Sequence, residues 1–277
     1  MRKIFLEDKI SDTVTISGND AHHLAYSLRA KKGDKIIAVD KQGNSAVMEL
    51  ENFDKDKFYA KRIGAIQKVD SVERIKIFNS TDQSEKIFTK HITLAECLPK
   101  QNKFDYIVEK VTELGVNKIC PLISDRTIAR PETLRAKTKI ARWERIAKEA
   151  AEQCGRDTLP VCGKILELFD WLKEIAPTLG HFVEKDGKKI FDCKGSLLLF
   201  CHENEQQQTV QEILREYKQA DCDKDIIILI GPEGGFAERE ATEIKSVGGE
   251  SVTLGKRILK TDTAAISALA VVQYELS

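Results

Sequence analysis

The chain reads as an α/β protein: a parallel sheet covered by helices on both faces, preceded by a small β-barrel. Three features of the 277 residues lead there. From residue 92 onward, continuous apolar runs alternate with amphipathic segments of helical period, the pattern of strands buried on both faces. The first seventy residues instead carry short apolar runs cut by turn signals, the spacing of a small barrel. Between them, Asn79-Ser80-Thr81-Asp82-Gln83-Ser84 is polar and fits a boundary, so domains are expected at 1–75 and 76–277.

Taken in order, Val14-Thr15-Ile16, Lys35 to Val39, Ala46 to Leu50 and Phe58-Tyr59-Ala60 are the barrel strands, separated by Gly18-Asn19-Asp20, Lys32-Gly33-Asp34 and Gln42-Gly43-Asn44. Ala21 to Ala30 places Leu24, Ala25 and Leu28 at helical spacing behind an Asn19/Asp20 cap, which predicts a helix within the barrel. Ile92 to Cys97 and Lys118 to Ile123 are strands around a helix whose Phe104, Ile107, Val108, Val111 and Leu114 recur at three and four residues before Gly115 stops it. A long basic helix from about Thr133 to Cys154 carries Trp143, Ile146/Ala147 and Ala150/Ala151 on its apolar stripe, with Gly155 beyond its end. Leu197 to Phe200, Ile226 to Ile230 and Ser251 to Leu254 supply the last strands, with helices at about 209–219, 238–247 and 262–275. Trp143 and Trp171 fall at stripe positions and are expected in the core rather than as base-stacking platforms.

The 44 Lys+Arg balance 44 Asp+Glu, and 22 Gly plus Pro exclude collagen-like and low-complexity chains. The balance is uneven along the sequence. Residues 126–148 hold eight basic against two acidic side chains, a local +6, whereas 157–255 hold 11 basic against 19 acidic, a local −8. The basic stretch suits either a polyanionic partner or a solvated helix face. The acidic turn after Met1-Arg2-Lys3-Ile4-Phe5-Leu6 and the lack of an apolar run near 20 residues predict a cytoplasmic protein. Seven cysteines without Cys-x-x-Cys or paired Cys/His spacing are expected to be reduced thiols, with no metal site.

Each late strand runs into a polar or glycine-bearing loop: Cys201-His202-Glu203, Gly231-Pro232-Glu233-Gly234-Gly235-Phe236, and Gly255-Lys256-Arg257-Ile258-Leu259-Lys260-Thr261-Asp262-Thr263-Ala264. Parallel sheets bind ligands at that edge, so three loops there make one pocket. Glycines let bare backbone approach a ligand closely. No Gly-x-x-x-x-Gly-Lys-Ser/Thr and no Gly-x-Gly-x-x-Gly opening a first βαβ helix is present, which weakens nucleotide triphosphate and dinucleotide readings.

Leu229-Ile230-Gly231-Pro232-Glu233-Gly234-Gly235-Phe236, the stretch Leu254 to Ala264 and Glu152-Gln153-Cys154-Gly155-Arg156 together resemble the RsmE family, the 16S ribosomal RNA uridine N3-methyltransferases of the SPOUT superfamily. The likeness extends to Leu94 to Lys100, Glu109 to Val116, and His22-His23 with Leu28-Arg29. It implies a PUA-like RNA-binding barrel, a C-terminal domain closed by a deep trefoil knot, S-adenosylmethionine as cofactor, the small ribosomal subunit as partner, and a homodimer. Knots are rare, and no periodicity reveals one. Lys256, Lys260 and Asp262 stand where the family usually has Pro, Arg and Glu; a bidentate arginine contact is not available to Lys260. Residues 77–91 are extra sequence of no legible purpose.

The resemblance assigns Arg156, Glu233 and Asp262 to catalysis. It assigns Leu199, Phe200, Gly231, Pro232, Glu233, Gly234, Gly235, Leu254, Gly255, Ile258, Leu259, Thr261, Thr263 and Ala264 to the cofactor. His22, His23, Arg29, Arg126, Arg130, Arg135, Arg142, Arg145 and Lys260 are assigned to RNA. Beside these roles stand plainer ones: Arg156 bonding the last helical carbonyls, Glu233 capping the following helix, Asp262 answering a helix dipole, both threonines as caps. Two rival functions remain, a ribose 2′-O-methyltransferase, whose Asn-x-Gly-x-x-x-Arg segment is not found, and a non-catalytic RNA-binding protein.

Overall fold

The structure is a computed structural model that describes residues 2–27, 29–54, 57–68, 90–185 and 187–276. The polar boundary at 79–84, most of 77–91 and Leu28 lie outside the described residues. The chain divides into two compact units, Met1–Glu73 with Lys148–Leu159, and Arg74–Ala147 with Pro160–Ser277.

The first unit is built on strands β1 (Arg2–Phe5), β2 (Thr13–Ser17), β3 (Lys35–Val39), β4 (Asn44–Asp54), β5 (Lys57–Arg62) and β6 (Gln67–Lys68). They form one sheet in the order β1-β3-β4-β5-β2, with β6 against β4; β1–β3 is parallel and the other pairs antiparallel. Alternation turns Ile16, Ile36, Ala38, Met48, Leu50, Phe58 and Ala60 to one face, where they form a single buried core. A register shift between Leu50 and Asn52 bends β4, as a bulge does. The helix expected over 21–30 is shorter and of two kinds: α1 (Gly18–His22), then a π-helical turn over His23–Ser27. The wide turn closes when Ala30 N–H reaches back to the Leu24 carbonyl, and Ala21 and Leu24 complete the core. The segment 148–159 joins this unit through Lys148 Nζ to Asp20 (2.7 Å), Phe5 N–H to Glu152 (3.1 Å) and Lys3 Nζ to the Gly155 carbonyl (2.7 Å).

The second unit holds a seven-stranded parallel sheet. Strands β7 (Ile92–Cys97), β8 (Lys118–Ile123), β9 (Val161–Cys162), β10 (Leu166–Glu167), β13 (Leu197–Cys201), β14 (Ile226–Ile230) and β15 (Glu250–Val252) run in the order β10-β8-β7-β14-β13-β15, with β9 beside β8. Strands β11 (Phe182–Lys185) and β12 (Lys188–Phe191) make a separate antiparallel pair. On one face Ile92, Leu94, Leu199, Ile228 and Ile230 pack with α2 (Lys103–Glu113), the first part of α3 (Thr133–Cys154), α5 (Val210–Gln219) and α7 (Thr261–Leu276). On the other, Ala95, Leu198, Phe200 and Leu229 pack with α4 (Leu168–Ile175) and α6 (Glu238–Ser246). Burial on both faces is why these strands read as unbroken apolar runs. Trp143 and Trp171 are core residues, as expected. Gly115 (φ +90°) and Gly155 (φ +81°) close their helices in the left-handed region.

The expectation of seven reduced thiols is corrected: Cys193 and Cys222 form a disulfide, their Cα atoms 5.5 Å apart. Their 29-residue separation brackets β13 and α5 and matches no motif; only the fold brings them within bridging distance.

Candidate functional site

Parallel strands deliver their carboxyl ends to one edge, and in the second unit the loops there touch. The Lys100 N–H, after β7, donates to Glu233 at 3.1 Å, and Lys103 Nζ, opening α2, pairs with the same carboxylate at 3.0 Å. Arg126, after β8, donates from Nη1 to the Gly234 carbonyl at 2.6 Å. Glu203, after β13, lies against Gly235, where an added Cβ would sit 2.9 Å from the carboxylate; that glycine has φ +67°. A Cβ on Gly231 would meet the Phe236 ring at 3.2 Å. These glycines are set by backbone conformation and by close neighbours. Glu240, fully buried, locks the edge from below by accepting the N–H groups of Asp125 (2.8 Å) and Ala237 (2.7 Å).

Glu233 therefore does not cap the following helix; Glu240 serves the Ala237 N–H there. Burial raises the pKa of Glu233, but Lys103 and backbone N–H bonds, including that of Lys100, outweigh it and hold the group below the usual carboxylate range. At the start of α7, Asp262 accepts the Thr263 N–H at 3.0 Å. Thr261 is buried, and its hydroxyl has no hydrogen-bond partner among the described residues.

The other expected residues fall into groups. Gly231 and Pro232 are buried, Gly234 is exposed, and Gly235 is half-buried against Glu203. Leu199 and Phe200 are both fully buried on opposite faces of the sheet, so only the end of their strand is offered to a ligand. Leu254, Leu259 and Ala264 pack on the core, whereas Ile258 is 82% exposed and Gly255, Lys260 and Thr263 are exposed. Arg135, Arg142 and Arg145 lie on the exposed face of α3, where Arg142 pairs with Asp105 (2.6 Å). The same Asp105 accepts the Trp143 indole N–H at 3.0 Å. Arg130 donates to the Ser124 carbonyl at 3.0 Å.

Arg156, His22 and Arg29 belong to the first unit. Arg156 is buried there, His22 and Arg29 are exposed, and the His23 side chain lies outside what is described. That unit also has two clefts: about 850 Å³ beside Lys3, Arg29, Lys31 and Glu152, and about 640 Å³ beside Asp40, Lys41 and Lys148. Their walls mix both signs of charge, and neither includes the glycine loop. In the same unit burial raises the Glu152 pKa to about 7, although the Phe5 N–H opposes it.

Sequence reasoning missed Lys100, Lys103, Glu203 and Glu240 as the links between loops. It also missed Glu96, buried in β7 at 0% exposure. The signal for Glu96 was present: a carboxyl inside an otherwise apolar parallel strand.

A profile for an RNA methyltransferase domain matches residues 86–273, and one for an RNA methyltransferase PUA domain matches residues 16–61. The chain is 31% identical over 264 residues to the ribosomal RNA small subunit methyltransferase E of Synechocystis sp., covering 95% of this chain and 74% of that protein. Its counterpart in Bacillus subtilis is 27% identical over 263 residues, covering 95% and 90%. The crystal structure of ribosomal RNA small subunit methyltransferase E from Neisseria gonorrhoeae bound to S-adenosyl methionine superposes with a TM-score of 0.75 at 27% identity, over 99% of this chain and 97% of the other. A putative methyltransferase from Legionella pneumophila shares the fold, with a TM-score of 0.76 at 22% identity over 98% and 96% of the chains. The chain thus belongs to the RNA methyltransferase family that includes the ribosomal RNA small subunit methyltransferases E.

Proposed function

We propose that this protein transfers the methyl group of S-adenosylmethionine to N3 of a uridine in 16S ribosomal RNA, acting in the cytoplasm as a homodimer whose last strands are knotted. The observation that carries the proposal is the glycine loop 231–235, bonded by Lys100 and Arg126 and packed against Glu203, from three neighbouring loops at the carboxyl edge of the sheet. The residues fit the cofactor. The glycine loop 231–235 brings backbone to the carboxyl edge, Leu254 and Leu259 offer apolar surface, and the buried Thr261 hydroxyl has no hydrogen-bond partner among the described residues.

When bound, S-adenosylmethionine supplies a methyl group on a positively charged sulfur. The chain's own residues do the rest. Gly231, Pro232, Gly234, Gly235, Gly255, Ile258, Thr261, Thr263 and Ala264 hold and enclose the cofactor, with Leu199 and Phe200 contributing only the end of β13. Uracil N3 must lose its proton to become nucleophilic, so a carboxylate has to stand near it. Asp262, half-buried at the start of α7, is assigned that role. Glu233, already engaged by Lys100 and Lys103, positions the loop instead. Arg156 lies in the first unit, and its assignment to the negative charge that develops on the ring rests on the motif Glu152 to Arg156 alone. His22, His23, Arg29 and the basic residues from Arg126 to Arg145, with Lys260, carry the RNA backbone.

The test is to incubate the protein with labelled S-adenosylmethionine and undermethylated small ribosomal subunits, then identify the labelled nucleoside by mass spectrometry. The expected product is 3-methyluridine; a ribose 2′-O-methylated nucleoside, or no label, overturns the proposal.

A further inference from the structure

Strand β7 reads Ile-Thr-Leu-Ala-Glu-Cys, and its Glu96 is fully buried with no hydrogen-bond partner among the described residues for either carboxyl oxygen. A native interior rarely keeps such a group unless something outside the chain completes it. Its position is specific. Glu96 lies opposite Ile230, the last residue of β14 before Gly231, and by alternation shares a face with Ile92 and Leu94, which pack with α2 and α7. Asp262 and Glu233 are near enough to act on it electrostatically, and among the described residues no cationic side chain pairs with it. Thr261, adjoining Asp262 in the chain, is another buried group without a hydrogen-bond partner among the described residues.

The geometry points to Glu96 as a binding residue for the methyl donor, its buried carboxyl set against the positive charge of the donor's sulfonium. This rests on reading the glycine-loop crevice as the donor site. Glu96 feels the charges of Asp262 and Glu233, and of these three carboxyls Glu233 alone has a lysine partner among the described residues. Burial first, then the charges of Asp262 and Glu233, raise the Glu96 pKa well above the ordinary carboxylate value, which favours its neutral form in the free protein. The other titratable groups that interact with it are Cys201 on β13 and the adjacent Cys97, both thiols raised by burial. A sulfonium brought alongside favours the ionised form, and the Glu96 proton passes to solvent. S-adenosylhomocysteine, the product, lacks that charge, so Glu96 favours donor over product and assists turnover.

Titration calorimetry on the whole chain, in buffers of different ionisation heat at neutral pH, reads this directly. The wild type is expected to release protons on binding S-adenosylmethionine and few on binding S-adenosylhomocysteine. Glu96→Gln, which keeps shape and neutrality, is expected to weaken the donor about tenfold, as losing one charge-assisted contact does, to leave the product within about twofold, and to abolish the release. Equal weakening of both ligands, no weakening, or no proton release by the wild type overturns the inference. A wild type that binds neither ligand removes the donor-site reading itself, and this inference with it. Should Glu96→Gln fail to fold, infrared difference spectra of the wild type decide: loss of a protonated-acid carbonyl band with donor but not product supports the inference, and an unchanged band overturns it.

Discussion

Asp40 in the first unit and Glu96 in the second are both carboxyls removed from water, and their surroundings are opposite. Asp40 is 5% exposed and accepts the N–H groups of Ile10 (3.3 Å), Gln42 (2.9 Å) and Asn44 (2.9 Å), and the Asn44 amide (3.0 Å). Burial alone would raise its pKa, but those bonds outweigh it and the value is lowered. Glu96 has no such donors, and its pKa is raised. The carboxyl that serves the fold is wrapped in donors, whereas Glu96, buried near the carboxyl end of a parallel strand, is left without them among the described residues.

The contrast is broken most forcefully at Asp40. Asp40→Ala leaves several N–H groups without an acceptor and is expected to cost about 2–4 kcal/mol of unfolding free energy in urea titrations, whereas Glu96→Gln is expected to stay within about 0.5 kcal/mol. Comparable losses at both positions would erase the distinction.

A smaller effect sharpens it within the first unit. Glu152 has a folded-state pKa raised to about 7, so its contribution is full below the unfolded value near 4.5 and is lost as pH rises through 7. Glu152→Gln is expected to remove that loss, raising stability by about 1–3 kcal/mol above neutral pH and changing little in mild acid. Asp40 acts with the opposite sign: its contribution is present above the ordinary carboxylate range and lost as pH falls. Parallel pH–stability curves for wild type and Glu152→Gln would contradict the assignment.

The smallest expected change in stability is on the exposed face of α3. Replacing Arg135, Lys137 and Arg142 together by Ala is expected to leave each site's stability within about 0.5 kcal/mol, with Arg142 losing only its pair with Asp105. RNA binding should weaken, and the slope of log affinity against log salt should fall by about two, measured by filter binding across ionic strength. An unchanged slope would return these side chains to the role of a solvated face.

Much of this was legible in the sequence because burial on both faces leaves unbroken apolar runs: β7, β8 and β14 were expected at the bounds the structure gives them. The glycine loop and the start of α7 were legible as segments at the carboxyl edge of the sheet for the same reason. The hairpin β11–β12 and helix α4 were not, since short mixed segments carry little periodicity. The Cys193–Cys222 bridge depends on tertiary distance alone. The links from Lys100, Lys103, Arg126 and Glu203 to the glycine loop join residues between 32 and 133 positions apart, and no local pattern announces them. Glu96 was visible as a misplaced charge, but its lack of partners is a property only of the packed sheet.

The central claim is that the carboxyl-edge loops of the second unit, and not the clefts of the first, receive the methyl donor. Hydrogen exchange read by mass spectrometry, with and without S-adenosylmethionine, tests it directly. The account predicts added protection in peptides spanning 96–100, 231–236 and 255–264. Protection confined to peptides around Lys3, Arg29, Asp40 and Glu152, or none anywhere, would contradict it.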